Sequence, residues 1–119
     1  MEVVKLLIEK GINIDERNEH GNTALLYAAK EGNIEIMKLL IEKGANLDEK
    51  DSEGNTALLY ALKKGNIEIM KLLIEKGANL NEKDSKGNTA LMCAAEKGNI
   101  EAMKLLIEKG AKLDLKNNK

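Results

Sequence analysis

Apolar and polar positions along this chain follow two helical rhythms, and both return every 33 residues. In the first, Leu25, Ala28 and Ala29 fall at i, i+3 and i+4 and make one apolar stripe whose small alanines permit close approach of a neighbour. In the second, Ile34, Ile36, Met37, Leu39, Leu40 and Ile41 leave a single polar stripe, built by Glu35, Lys38 and Glu42. A helix apolar over most of its circumference must be covered on several sides. The spacing therefore predicts pairs of helices, each pair covered by the next.

The residues between the stripes predict where the helices start and stop. Thr23, Thr56 and Thr89 precede the first stripe, where a hydroxyl can cap free amide groups. Gly32 and Asn33 break the first helix, and Asn33 is placed to cap the second. Gly44 follows as a left-handed cap. Ala45 to Asn55 is then polar except for Ala45 and Leu47, and rich in turn formers. It predicts a hairpin-like finger with Gly54 at positive φ.

Glycines mark the period: Gly21, Gly54 and Gly87; Gly32, Gly65 and Gly98; Gly44, Gly77 and Gly110. Residues 54–86 differ from 21–53 only at Leu62, Lys64, Asn81 and Lys86. Residues 87–119 have drifted further, with Met92, Cys93, Ala102, Lys112 and Leu115 among the changes. The chain reads as a single array over 1–119, with a partial repeat at 1–20 and full repeats at 21–53, 54–86 and 87–119.

A 33-residue unit carrying Gly-Asn-Thr-Ala-Leu, Ala-Ala, Gly-Asn-Ile-Glu and Lys-Leu-Leu-Ile-Glu-Lys-Gly-Ala resembles the ankyrin repeat, and the likeness recurs in every unit. The resemblance implies an all-α helical repeat solenoid, with helix-turn-helix units joined by hairpin-like fingers. One departure is that the family's Thr-Pro-Leu-His becomes Thr23-Ala24-Leu25-Leu26, with Leu59 and Met92 at the later equivalents of the histidine. The family's histidine usually bonds between neighbouring backbone segments, which Leu and Met cannot do.

Composition narrows the function classes. Apolar residues make up 43% of the chain and charged residues 33%, with a formal net charge of -1 and no long run of one sign. Nucleic-acid binding usually needs a clustered basic face with aromatics for stacking, and the only aromatics are Tyr27 and Tyr60. Apolar runs such as Leu39-Leu40-Ile41 are too short to span a bilayer. Met1 to Lys5 lacks the features of a signal peptide. A single cysteine cannot form an intramolecular disulfide. The expectation is a soluble cytoplasmic protein with no nucleic-acid or membrane partner.

Candidate chemistry is sparse. His20 is the only histidine and sits in the polar turn before Gly21, so it reads as a solvated loop residue with no second histidine to complete a metal site. Cys93 replaces Tyr27 and Tyr60 at the matching place. It reads as a packing or half-exposed thiol, because sequence offers no base beyond the distant His20. The Gly-Asn pairs lack the spacing and the Lys-Ser/Thr ending of a phosphate loop. No catalytic residue, metal or cofactor is expected.

What the resemblance does imply is recognition of another protein through the finger tips and the concave side of the first helices. Those positions are Glu19, His20, Asn22, Tyr27, Lys30 and Glu31; then Ser52, Glu53, Asn55, Tyr60, Lys63 and Lys64; then Ser85, Lys86, Asn88, Cys93, Glu96 and Lys97. Several vary while the helical frame stays fixed, as in Tyr27 against Cys93, Glu31 against Lys64 and Glu53 against Lys86. The alternative reading is a structural spacer or engineered scaffold, or a piece of a longer array, with no specific partner. Val3, Val4, Leu6, Leu7 and Ile8 read as a second helix lacking its own first helix, a place for self-association. At the other end Ala102 in place of Ile36 and the tail Lys116 to Lys119 read as a polar stop.

Overall fold

Each first helix begins at a threonine in extended backbone whose hydroxyl accepts the amide N–H of the residue three further on, which is Leu26, Leu59 or Met92. The helices so capped are α1 (Ala24–Glu31), α3 (Ala57–Lys64) and α5 (Ala90–Glu96). Asn33, Asn66 and Asn99 cap the second helices in the same way, through the amides of Ile36, Ile69 and Ala102. These are α2 (Ile34–Glu42), α4 (Ile67–Glu75) and α6 (Ile100–Glu108). A computed structural model of the chain describes residues 15–19 and 21–112, and among these there is no β-strand. The helix proposed over Val3 to Ile8, the self-association assigned to it, His20 and the tail Lys116 to Lys119 lie outside the described residues.

Two residues join the helices of the first two pairs and three those of the third, and in the first pair both have double roles. Gly32 closes α1, and the Asn33 N–H donates to Ala28 O at 2.9 Å while the Asn33 side chain caps α2. The second helices end on a paired closure: Gly44 N–H donates to Ile41 O and Ala45 N–H to Leu40 O, each at 3.0 Å. This satisfies carbonyls that a helix end otherwise leaves open. The same closure recurs at Gly77 with Ala78 and at Gly110 with Ala111.

The first helices stack side by side in the order α1, α3, α5, and each second helix packs behind its own first helix. The result is elongated, 44 × 26 × 20 Å along its principal axes. Among the described residues only α3 has a first helix on each side. It accordingly buries six consecutive residues, Ala57 to Leu62, whereas α1 and α5 bury fewer. Behind it the core continues through Met37, Leu40, Ile69, Met70, Leu73 and Leu106, all fully buried.

Leu26 and Leu59, standing where the family's histidine would, lie inside this core, and Met92 is half-buried. They add apolar packing in place of a polar link. Links between successive fingers come from elsewhere. The amides of Asn46, Asn79 and Lys112 donate to the side-chain oxygens of Asp15, Asp48 and Asn81, each 31 residues earlier, at 2.8–2.9 Å. Lys50 Nζ donates to Lys83 O at 2.8 Å and pairs with Glu82 at 3.0 Å. Arg17 reaches forward in the same sense to Glu49 and the Lys50 carbonyl.

The polar stop expected at α6 is not what the described residues show. Ala102 is fully buried, as is Ile69 at the same position one unit earlier. Elsewhere on α6, Ile100 and Ile107 remain 65% and 45% exposed.

Candidate functional site

Every finger turns on one carboxylate or amide side chain. Asp51 N–H donates to Asn55 O, Gly54 N–H donates to Asp51 O, and Asp51 Oδ1 accepts the amides of Glu53 and Asn55 at 2.9 Å each. Asp84 repeats the arrangement with Asn88, Gly87 and Lys86. Asn18 repeats its backbone part ahead of α1, with its side-chain oxygen accepting from Asn22 N–H. Short polar side chains that bond their own backbone a few residues on are what such turns require. Asp51 and Asp84 were not among the residues singled out from sequence, although their spacing of 33 and the shared Asp-Ser-x-Gly-Asn pattern carried the signal.

The other oxygen of each carboxylate faces the first helices, and there the two fingers differ. The Tyr60 hydroxyl donates to Asp51 Oδ2. Asp84 Oδ2 instead accepts Lys63 Nζ at 2.9 Å, and the same ammonium donates to Asn55 Oδ1 at 2.6 Å. Burial works against both charged carboxylates, yet both sit below the ordinary carboxylate range. For Asp51 the Tyr60 hydroxyl and the finger amides outweigh burial; for Asp84 the Asn88 amide and Lys63 do so.

Between the two fingers and the helices behind them lies a cleft of about 540 Å³. Its walls are Glu53 and Asn55 from one finger, Asp84, Ser85, Lys86 and Asn88 from the next, Lys63 on α3, and Cys93, Glu96 and Lys97 on or beside α5. All but Asp84 belong to the expected binding positions. The charges around it are mixed, acid beside base, which suits a polar protein surface better than a polyanion.

Not all the expected positions are exposed. Glu19, Tyr27, Lys30, Glu31, Ser52, Glu53, Lys64, Ser85, Lys86, Glu96 and Lys97 are, while Asn22, Lys63 and Asn88 are half-buried. Asn55, Tyr60 and Cys93 are only 5%, 8% and 7% exposed, which corrects the expectation of an open surface there. Tyr27, in the same local sequence as Tyr60, is 55% exposed. The difference comes from neighbours: α3 has a first helix packed on each side.

Burial pushes the Cys93 thiol up, away from the thiolate form. The described residues hold no cluster of His, Cys, Asp and Glu able to bind a metal ion. They hold no helix long and apolar enough to cross a membrane. Two shallower grooves run along the opposite face between second helices, one holding Lys38, Ile41 and Leu72 and the other Lys71, Lys104 and Leu105.

Tyr60 offers a direct check on this geometry. Burial, followed by its bond to Asp51, pushes its phenol up to about 12. The folded state therefore resists ionisation, and the stability this gives is complete below the ordinary tyrosine value of about 10 and is lost as pH rises toward about 12. In a Tyr27→Phe background Tyr60 is the only tyrosine, so absorbance at alkaline pH should show a midpoint near 12. A midpoint near the ordinary value would mean that the ring is not seated against Asp51.

With the geometry in view, comparison with known proteins adds one positive finding. A family model described as ankyrin repeats, three copies, matches residues 1–51 and 44–117. No curated protein matches the chain.

Proposed function

The chain belongs to the ankyrin repeat family, and we propose that it is a non-catalytic module that binds another protein through its fingers and the concave side of its first helices. Ankyrin repeats are generally protein–protein interaction modules, and the family is typically non-enzymatic. The observation that carries the reading is where the units differ. Glu53 against Lys86 and Lys63 against Glu96 border the cleft between fingers, as does Cys93, which stands where Tyr60 stands one unit earlier. The second helices, by contrast, are identical in α2 and α4 and change at one position in α6. Several differences between units thus fall at the fingers and first helices, while the second helices are nearly constant. We place the protein in the cytoplasm, where a free thiol such as Cys93 persists unpaired.

Charge reversal on the two faces tests this. Lys86→Glu with Lys97→Glu alters the cleft, and Lys38→Glu with Lys104→Glu alters the opposite face. All four lysines are exposed, so each double variant should keep the parent stability to within about 0.5 kcal/mol per site. A protein captured by the parent from extract is expected to be retained by the opposite-face variant and lost by the cleft variant. The reverse pattern would move recognition to the second helices. Capture of nothing by any form would favour a spacer without a partner.

A further inference from the structure

Tyr60 and Cys93 occupy the same framework position, each nine residues after the carboxylate that anchors the preceding finger. At Asp51 the arrangement is complete, with the Tyr60 ring buried and its hydroxyl on Oδ2. At Asp84 the phenol is missing. A cysteine side chain stops far short of where a phenol ends, and the cleft of about 540 Å³ opens beside it. That volume lies within the range of about 300–1,000 Å³ typical of ligand pockets.

The lysine at the neighbouring position behaves accordingly. Lys63 Nζ takes Asp84 Oδ2 and Asn55 Oδ1. Its equivalent one unit earlier, Lys30, is exposed, and the equivalent amide oxygen, Asn22 Oδ1, is buried without a hydrogen-bond partner among the described residues. Phenol and ammonium are thus alternative donors to one buried carboxylate oxygen. Where the tyrosine is built in, the lysine stands away. Where it is absent, the lysine fills in.

We propose that the cleft receives the side chain of a tyrosine from the bound protein, its hydroxyl donating to Asp84 Oδ2 as that of Tyr60 donates to Asp51. This rests on the protein-binding reading above and specifies its partner by one protruding phenol. The entering hydroxyl replaces the Lys63 ammonium as donor, and Lys63, which lines the same cleft, is left free to make a cation–π contact with the ring. A phenylalanine would displace Lys63 and return no donor, leaving a buried carboxylate oxygen unmatched.

The test uses the full chain, isotopically labelled, with p-cresol as probe and toluene as control. Saturable amide shifts at Asp84, Asn88 and Cys93 are expected with p-cresol, and binding about tenfold weaker with toluene. Cys93→Tyr supplies the phenol internally; it should melt no lower than the parent and abolish the p-cresol shifts. Should that variant not fold, Asp84→Asn serves in its place, because Asn18 shows that an amide supports the finger turn while offering no carboxylate acceptor. It too should lose p-cresol binding. Equal binding of p-cresol and toluene, shifts confined to other residues, or p-cresol binding that survives Asp84→Asn would each overturn the proposal. Partner capture that persists alongside any of these would leave the protein-binding reading standing without the tyrosine.

Discussion

Gly54→Ala is expected to lower the unfolding free energy by about 3 kcal/mol, the sum of a backbone strain and a steric conflict. Gly54 sits at φ +79°, where a side chain is strained wherever it points. A Cβ there would also lie 2.8 Å from Ser85 N and 3.0 Å from the Asp84 carbonyl carbon, both backbone atoms of the next finger. Backbone cannot swing aside as a flexible side chain does. Separating the fingers would also loosen the Ser85 N–H to Glu53 O bond, now 2.9 Å. Gly77 is the control. It has φ +93° but nothing within 4 Å of the added carbon, so Gly77→Ala should carry the conformational cost alone, about 1–2 kcal/mol. Urea unfolding of both variants measures the difference. Equal losses would mean that successive fingers do not approach as closely as Gly54 and Ser85 indicate.

The second large effect is expected at Asp84. Its side chain is 4% exposed and accepts three bonds, from the amides of Lys86 and Asn88 and from Lys63 Nζ. Asp84→Ala removes all three acceptors and leaves two finger amides and an ammonium to find water, a loss of about 3 kcal/mol. Asp84→Asn should retain the amide acceptors, as Asn18 does ahead of α1. It forfeits mainly the partly exposed Lys63 pair, a loss of about 1 kcal/mol or less. The two variants separate the turn from the charge. The acid limb follows the same logic. Asp84 is held below the ordinary carboxylate range in the folded chain, so its contribution is complete above that range and disappears as the pH falls through the folded value. Asp84→Asn should flatten this acid loss, and an alanine variant as stable as the asparagine one would show that the side chain does not organise the finger.

Helices and caps were legible because each is written locally and three times over. Thr56 before an apolar stripe, Asn66 after a glycine and Gly77 after a charged last turn all did what those residues do in isolation. The site was harder. Asp51 and Asp84 each sit in a polar stretch, 48–56 and 81–89, and nothing in composition marks which residues bond the backbone and which face water. Only the repeated Asp-Ser-x-Gly-Asn spacing did so. Tyr60 was not legible at all as a buried residue. Tyr27 has the same preceding residues, Thr-Ala-Leu-Leu, yet is exposed; what separates them is a neighbouring helix, which lies 33 residues away in the chain. The misreading of Ala102 has the same origin, since a shorter side chain marks an outer face or a tight inner contact equally well.

The unequal burial of near-identical helices has a mechanical consequence. Among the described residues α3 is gripped by a first helix on both sides and keeps six successive residues dry, while α1 and α5 each have a first helix on one side. Local opening becomes easier as buried contacts thin out, so rigidity in such a row is set by place and not by spelling. Among the described residues the middle copy is therefore the stiff one and the copies beside it are more compliant. A ligand that spans the row would press against a fixed surface at its centre and find surfaces that yield to either side.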